Sequence, residues 1–310
     1  MSGSLEAGAR LHTYEIVAPL GAGGMGEVYL ARDTRLDRPV ALKLLPSRMS
    51  QDPLAIGSFR REALTLAALN HPNIAIIHGF EELADGTTVL VMERVEGETL
   101  AARLAHGPMS IEEALQICAQ VAEALEVAHS HGIVHRDVKP GNVMIGRRGL
   151  VKVLDFGLAR RTRGLDRIAA QPRERRPGGR GGRRRAHGRD GDSGLDSSEG
   201  TILGTPGYMS PEQVLAQPGD ARSDVFALGV VLYECLAGRH AFPGPTLQAM
   251  HATLNAAVEW EGLPSPVPPR VRALIASCLA KGAGGPTHGH ARGAPDARGG
   301  SRGAARLRAP

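Results

Sequence analysis

Two short polar stretches carry residue types that suit phosphate chemistry. The first runs from His135 to Asn142 and contains Asp137 and Lys139, and the second, Asp155-Phe156-Gly157, begins eighteen residues after Asp137. Carboxylate and amide oxygens can hold Mg²⁺, a carboxylate can accept the proton of an attacking hydroxyl, and a lysine can neutralise a moving phosphoryl group. The joint spacing favours phosphoryl transfer over solvated turns with incidental charges.

A glycine-rich segment precedes these stretches. Gly21 to Gly26 matches the pattern G-x-G-x-x-G, which is a weak signal when it stands alone. A dinucleotide-binding fold needs a helix directly after such glycines, whereas Glu27 to Ala31 is strand-like. We therefore expect a hairpin whose missing side chains let backbone N–H groups approach phosphate oxygens. A merely flexible turn is the alternative.

Lys43 is a charged residue inside an apolar strand pattern. A lysine there is costly to bury without an anionic partner, so a carboxylate or a phosphate should lie beside it. Glu62 is the candidate, because it falls on the next predicted helix and on the same face as Phe59 and Leu66. Taken singly, each of the two charged residues is more often a surface residue.

The elements that must position these groups change character along the chain. Strand patterns cover 14–20, 27–31, 39–45, 74–80 and 87–92, and a helical pattern covers 53–69. Beyond Gly97 helices dominate, starting with a capping-box signal from Ser110 to Glu113 and continuing at 222–237, 246–257 and 268–279. The order predicts a small β-rich unit and a larger helical one, with a ligand cleft between them.

Composition and charge limit the remaining function classes. The 310 residues are 42% hydrophobic and 22% charged, which is enough for a substantial core. The net charge of +5 comes from two stretches rich in Gly and Arg, 160–190 and 281–310, and the rest of the chain is acidic. We interpret both stretches as solvated and largely disordered. Contact with nucleic acid or anionic lipid is the less favoured alternative, because no aromatic residues are interleaved.

Cysteine usage and hydropathy suggest a cytoplasmic chain. Cys118, Cys235 and Cys278 lie in apolar helical patterns without metal-ligand spacing, which favours buried thiols in a reducing compartment. Neither a signal peptide nor a membrane-spanning stretch is apparent. His129, His131 and His135 could suggest zinc, but they lack a matching ligand set.

With these motifs in order, the chain resembles the bacterial, eukaryotic-type (Hanks-type) serine/threonine protein kinases. The likeness runs from Tyr14 to Leu279 and also includes the segments 204–212 and 223–229. It implies an α+β, two-lobed protein kinase fold, with a small β-rich N-lobe holding one long helix and a larger, mainly α-helical C-lobe. The implied divisions are a tail (1–13), the N-lobe (14–93), a hinge (94–97), the C-lobe (98–281) with a long Arg-rich activation-loop insertion (161–200), and a disordered tail (282–310).

The resemblance also implies roles for individual residues. ATP and Mg²⁺ are the implied cofactors, with Mn²⁺ as an alternative cation. Asp137 would be the catalytic base, Lys139 would steady the γ-phosphate, Lys43 would bind phosphates while Glu62 holds it, and Thr205 would tie the substrate-binding loop to Asp137. Asn142 and Asp155 would ligate the metal, and Asp224 would brace the catalytic loop. The nucleotide would contact Leu20, Gly21, Ala22, Gly23, Gly24, Met25, Gly26, Val28, Ala41, Lys43, Met92, Glu93, Val95, Met144 and Leu154.

The implied partners are proteins with Ser/Thr acceptors. A dimer is left open, and no specific nucleic acid and no membrane segment are expected. Arg136, beside the catalytic aspartate, suggests activation by autophosphorylation of the loop. The candidate acceptors are Ser193, Ser197, Ser198 and Thr201, with Thr201 or Ser198 first.

Two departures from the family pattern leave an alternative open. Forty-six residues separate Gly157 from Gly204, more than the resemblance leads us to expect. After Lys281 no arginine stands where the family places a partner for the residue corresponding to Glu212. A shifted reading frame would explain both odd stretches, and an inactive or impaired kinase-fold scaffold is the competing function. A small-molecule phosphotransferase of related fold would lack the segment 204–212, and because this chain contains that segment, this class is less favoured.

Overall fold

Six antiparallel strands between Arg10 and Glu93 form one sheet in the N-terminal third of the chain. The computed structural model describes residues 5–23, 26–45, 53–83, 86–156 and 205–281. The strands are β1 (Arg10–Leu11), β2 (Tyr14–Gly23), β3 (Gly26–Asp33), β4 (Arg38–Leu44), β5 (Ile77–Glu82) and β6 (Thr88–Glu93). They lie in the order β1-β2-β3-β4-β6-β5. The predicted hairpin is confirmed, since β2 and β3 pair directly up to Gly23 opposite Gly26.

Side-chain alternation gives this sheet two different faces. One face buries eight residues in a core of its own, which Leu5, Ala9 and Leu11 help to cover. These eight are Tyr14, Ile16, Tyr29, Ala31, Val40, Leu42, Val89 and Val91. Residues 5–13, expected to belong to a tail, thus extend the sheet through β1 and cover its outer face.

One long helix packs on the other side of the sheet. Helix α1 (Pro53–Ala67) buries Phe59 and Leu66, and the Phe59 ring lies 5.8 Å from that of Phe80. The helix ends two residues before the predicted bound. The predicted strand over 74–80 was wrong at its start, because Ile74 leaves the sheet and forms an isolated bridge with Val153.

The C-terminal half is mainly helical. Its helices are α2 (Leu100–Ala105), α3 (Ile111–Ser130), α4 (Pro211–Val214), α5 (Ala221–Ala237), α6 (Thr246–Asn255) and α7 (Pro269–Cys278). A small antiparallel sheet joins β7 (Gly97–Thr99), β8 (Val143–Gly146) and β9 (Val151–Val153) in that order. The capping signal at Ser110 is confirmed, because its hydroxyl accepts a hydrogen bond from Glu113 N at 3.1 Å.

Helix α5 is the centre of the helical half and packs against both α3 and α7. It is buried on nearly all sides, so its apolar residues show little helical periodicity. Close approach of α7 requires a glycine, since a Cβ at Gly229 would lie 2.5 Å from Cys278 Cβ. The thiols of Cys118 on α3 and Cys235 on α5 meet in this core despite their distance in sequence.

Several predictions lie outside the described residues. These concern Gly24, Met25, Gly157, Gly204, Ser193, Ser197, Ser198, Thr201, the Arg-rich insertion 161–200 and the tail 282–310. Among the residues that the structure describes, no helix is long and apolar enough to cross a membrane.

Candidate active site

The loop from His135 to Asn142 is anchored from below by a buried carboxylate. Asp224, at the start of α5, is fully buried and accepts hydrogen bonds from His135 N at 2.8 Å and Arg136 N at 2.7 Å. His129 Nε2 lies 2.7 Å from the same carboxylate. Arg136 has a φ of 64°, a left-handed conformation that costs a residue with a side chain energy and needs outside support. Asp224 supplies that support, as the family resemblance implied.

Asp137 is the centre of a polar cluster at the tip of this loop. Its carboxylate lies 2.8 Å from Lys139 Nζ and accepts a hydrogen bond from Thr205 Oγ1 at 3.2 Å. Lys139 Nζ also donates to Thr205 Oγ1 at 2.8 Å. Asn142 Nδ2 donates to the Asp137 carbonyl oxygen at 2.9 Å, which closes the loop on itself. The structure therefore brings together four residues that the sequence placed in one site.

His135 joins this loop to the segment that carries Asp155. Its Nδ1 accepts a hydrogen bond from Asp137 N at 3.2 Å, and its Nε2 lies 2.9 Å from the Leu154 carbonyl oxygen. One ring nitrogen thus accepts, and the other donates because its partner is a carbonyl oxygen. The ring also packs on Phe156 at 4.6 Å between centroids. This linking role of His135 was not predicted from the sequence, although both segments that it joins were.

Lys43 and Asp155 form an ion pair across the cleft. Lys43 Nζ lies 2.8 Å from Asp155 Oδ2, and the lysine is almost fully buried. Asp155 has a φ of 52°, again a left-handed conformation that neighbouring contacts must hold. The structure thus supplies the anionic partner that a buried lysine requires. The predicted pairing of Lys43 with Glu62 stays a prediction.

A cavity of about 790 Å³ lies between the sheet and the helical half. Nine of the residues predicted to contact the nucleotide line it: Leu20, Gly21, Val28, Ala41, Met92, Glu93, Val95, Met144 and Leu154. Its wall also includes Asp155 and reaches back to Leu66, Ile77 and Leu90. The residues of this apolar rear wall come from α1, β5 and β6, and they were not among those predicted to contact the nucleotide.

The glycine-rich hairpin forms the roof of the site. Gly26 has a φ of 113°, and a Cβ there would lie 1.9 Å from the Leu44 carbonyl oxygen, so only glycine fits. Ala22 and Gly23 lie on the same hairpin but outside the cavity wall. Leu20, Gly21 and Val28 of this hairpin line the cavity, and the approach of its backbone to phosphate oxygens stays a prediction.

The oxygen donors fit a hard divalent cation. Asp155 presents a carboxylate, and Asn142 uses its amide nitrogen to bind Asp137, which leaves the amide oxygen as its cation-binding group. Such donors suit Mg²⁺, which prefers carboxylate and carbonyl oxygens. The donor set therefore fits the expected metal.

The segment after Thr205 is tied to the same loop. Gln213 accepts a hydrogen bond from Ser210 N at 3.0 Å and donates to the Arg136 carbonyl oxygen at 2.9 Å. Tyr208 donates to Glu234 Oε2 at 2.6 Å, and burial, reinforced by that carboxylate, raises the pKa of Tyr208 far above its usual range. The segment is thus held as a rigid shelf beside Asp137.

The structure also gives Glu212 a partner. Ser223 is buried on α5 and donates its hydroxyl hydrogen bond to Glu212 Oε1 at 2.6 Å. Glu212 therefore has a described partner, although after Lys281 no arginine stands at the spacing where the family places one.

Comparisons with known proteins agree with this geometry. Residues 14–283 match the family model described as "Protein kinase domain". Over 275 residues the chain is 39% identical to the serine/threonine-protein kinase PknB of Mycolicibacterium smegmatis, covering 86% of this chain and 40% of that protein. Over 273 residues it is 38% identical to PknA of Mycobacterium tuberculosis, covering 86% of this chain and 56% of that protein. The chain thus spans about half the length of these relatives or less.

A solved structure shows the same architecture. The kinase domain of Mycobacterium tuberculosis PknI aligns with a TM-score of 0.60 and 26% identity, covering 90% of this chain and 92% of that one. The two-lobed arrangement expected from the sequence is thereby confirmed.

Proposed function

This chain belongs to the protein kinase family, and we propose that it transfers the γ-phosphate of ATP to serine or threonine hydroxyls of protein substrates. The observation that carries the proposal is the buried cluster around Asp137, which lies beside an ion-paired Asp155 and an apolar cavity. The family generally uses ATP with Mg²⁺, and Mn²⁺ is the alternative cation.

In this proposal Asp137 accepts the proton of the attacking hydroxyl. Its carboxylate is held in place by Lys139 and Thr205. The carboxylate is therefore already oriented in the folded protein, and the reaction need not order it. Lys139 would stabilise charge on the transferred phosphoryl group, and Lys43 would bind the other phosphates. Asn142 and Asp155 would hold the Mg²⁺, which supplies charge neutralisation on the phosphate oxygens.

The apolar cavity would hold the adenine ring. Val28 and Ala41 would lie above the ring, and Met144 and Leu154 below it. The backbone of Glu93 and Val95 would meet the purine edge, and Met92 would limit access to the rear wall. The shelf from Thr205 to Gln213 would support the protein substrate, because it is tied to the loop that carries the base.

A phosphate-transfer assay tests the proposal. The protein is incubated with γ-labelled ATP, Mg²⁺ and a generic basic protein, and the Asp137→Asn variant is the matched control. Removing the base should lower the rate on the order of a hundredfold or more, while nucleotide binding is kept. Equal transfer by both proteins would argue against this role for Asp137. The alternative of an inactive scaffold is not favoured, since the family match extends to residue 283.

A further inference from the structure

Lys152 is a nearly buried charge that the proposed chemistry does not use. It lies on β9, three residues before Asp155, and only 12% of its side chain is exposed. Its ammonium lies 2.9 Å from Glu93 Oε2 and 3.3 Å from the Ile74 carbonyl oxygen. Burying an ammonium is costly even when it is paired, and an apolar residue would fill the same space. The charge therefore needs a reason beyond packing.

Its partner Glu93 stands at the end of β6 and lines the cavity. The Glu93 oxygen that binds Lys152 also accepts a hydrogen bond from Ile76 N at 3.0 Å. In return, Glu93 N donates to the Ile76 carbonyl oxygen at 2.8 Å. Backbone and side chain of Glu93 are thus both fixed to the segment 74–76.

The same segment is joined by its backbone to β9. Ala75 N donates to the Val153 carbonyl oxygen at 3.0 Å, and Val153 N donates to the Asn73 carbonyl oxygen at 2.8 Å. Lys152 therefore closes a ring of contacts among β6, the segment 73–76 and β9. A shift of Glu93 against β9 would break a charge-assisted hydrogen bond at a largely buried site.

We infer that Lys152 is a positioning residue, which through Glu93 fixes the backbone of residues 93–95 where it meets the purine edge of the nucleotide. This inference rests on the proposed function. Binding groups that are already ordered raise the affinity for a ligand, because less conformational entropy is lost when the ligand binds. Without the lysine, residues 93–95 would sample several positions, and the affinity for nucleotide would fall while the chemical step stayed intact.

Four variants and a control test this inference. Lys152→Met removes the charge and keeps the length, Glu93→Gln keeps the volume and an acceptor for Ile76, and the double variant removes both charges. Lys152→Arg restores donors. The control is Arg103→Met, which breaks the ion pair with Glu113 (2.9 Å), a partly exposed pair on α2 and α3 outside the cavity wall.

Binding of Mg·ADP to the full chain is measured by calorimetry, together with KM for ATP and kcat. Lys152→Met and Glu93→Gln should each raise Kd about tenfold, which corresponds to about 1.4 kcal/mol. The double variant should be no worse than either single one, because the pair acts as a unit. Lys152→Arg should recover most of the affinity, and Arg103→Met should bind nucleotide as the wild type does. In the variants with weaker binding, KM for ATP should rise in proportion to Kd, while kcat should stay within about twofold.

Other outcomes would overturn the inference. A lysine with only a structural role would lower the fraction of active protein, so kcat and the binding stoichiometry would fall while Kd stayed unchanged. Additive effects in the double variant would also contradict it. Glu93→Gln decides the matter if Lys152→Met does not fold. A wild-type chain that binds no nucleotide would instead contradict the proposed function, and that result is distinguishable from a failure of the Lys152 inference.

Discussion

Replacing Asp224 by Asn tests whether one buried carboxylate holds the catalytic loop. The carboxylate accepts bonds from His135 N, Arg136 N and His129 Nε2, all at 2.7 to 2.8 Å. An amide has almost the same volume, but one of its two polar atoms is a donor that would face another donor. The substitution therefore leaves at least one buried N–H group without an acceptor and makes the remaining bonds neutral.

The size of the effect follows from these contacts. A hydrogen bond to a charged group contributes about 1.5–3 kcal/mol, and an unsatisfied buried donor costs about 1–3 kcal/mol. We expect the free energy of unfolding to fall by about 3 kcal/mol, which lowers Tm by roughly 6 °C for a domain of this size. The protein stays folded, because domains usually have about 5–15 kcal/mol of stability.

Urea unfolding followed by fluorescence of the single tryptophan, Trp260, measures this change. The matched control is Asp220→Asn, the same substitution at the start of the same helix. Asp220 is exposed and caps α5 by accepting from Arg222 N at 2.8 Å, a task that Asn performs equally well. The control should cost less than about 1 kcal/mol. If Asp224→Asn were no more destabilising than Asp220→Asn, the anchoring role would be refuted.

Two more predictions follow from single contacts. Thr205→Val should lower kcat about tenfold with little change in KM for ATP, because it removes the hydroxyl between Lys139 and Asp137; steady-state kinetics checks this. Burial, and then the charge of Arg38, lower the pKa of His78 below its ordinary value of 6.5. The unfolded chain then binds more protons, so stability falls as the pH drops below about 6.5. His78→Gln should show a flatter dependence in urea titrations from about pH 7 to pH 5.

The sequence predicted the parts of the fold that short-range patterns determine. The hairpin of β2 and β3 could be foreseen because strand alternation resumes directly after the glycines, and α3 because Ser110 caps it. Element ends were less predictable, since tertiary contacts decide them. Ile74 has the residue type of a strand, yet its bridge to Val153 is a contact across 79 positions that no local pattern contains.

The same division applies to the site. Asp137, Asn142 and Asp155 could be singled out as candidates because their types and spacing suit phosphoryl transfer. Lys152 could not, because a lysine in the alternating pattern of Val151 to Val153 looks like an ordinary exposed residue on a half-buried strand. Only the fold shows that this face of β9 is covered and that Glu93, 59 positions earlier, lies there.

Exposure distinguishes the two ion pairs of the site and bears on their proposed roles. In the first pair Lys43 is 9% exposed and Asp155 is 24% exposed, whereas in the second Lys139 is 28% exposed and Asp137 is 5% exposed. The accessible member is therefore a carboxylate in one pair and an ammonium in the other. A cation can approach the first pair through the partly exposed carboxylate of Asp155. An anionic phosphoryl group can approach the second pair through the partly exposed ammonium of Lys139. The buried carboxylate of Asp137 is shielded from the cation by its own lysine, which suits a proton acceptor better than a metal ligand.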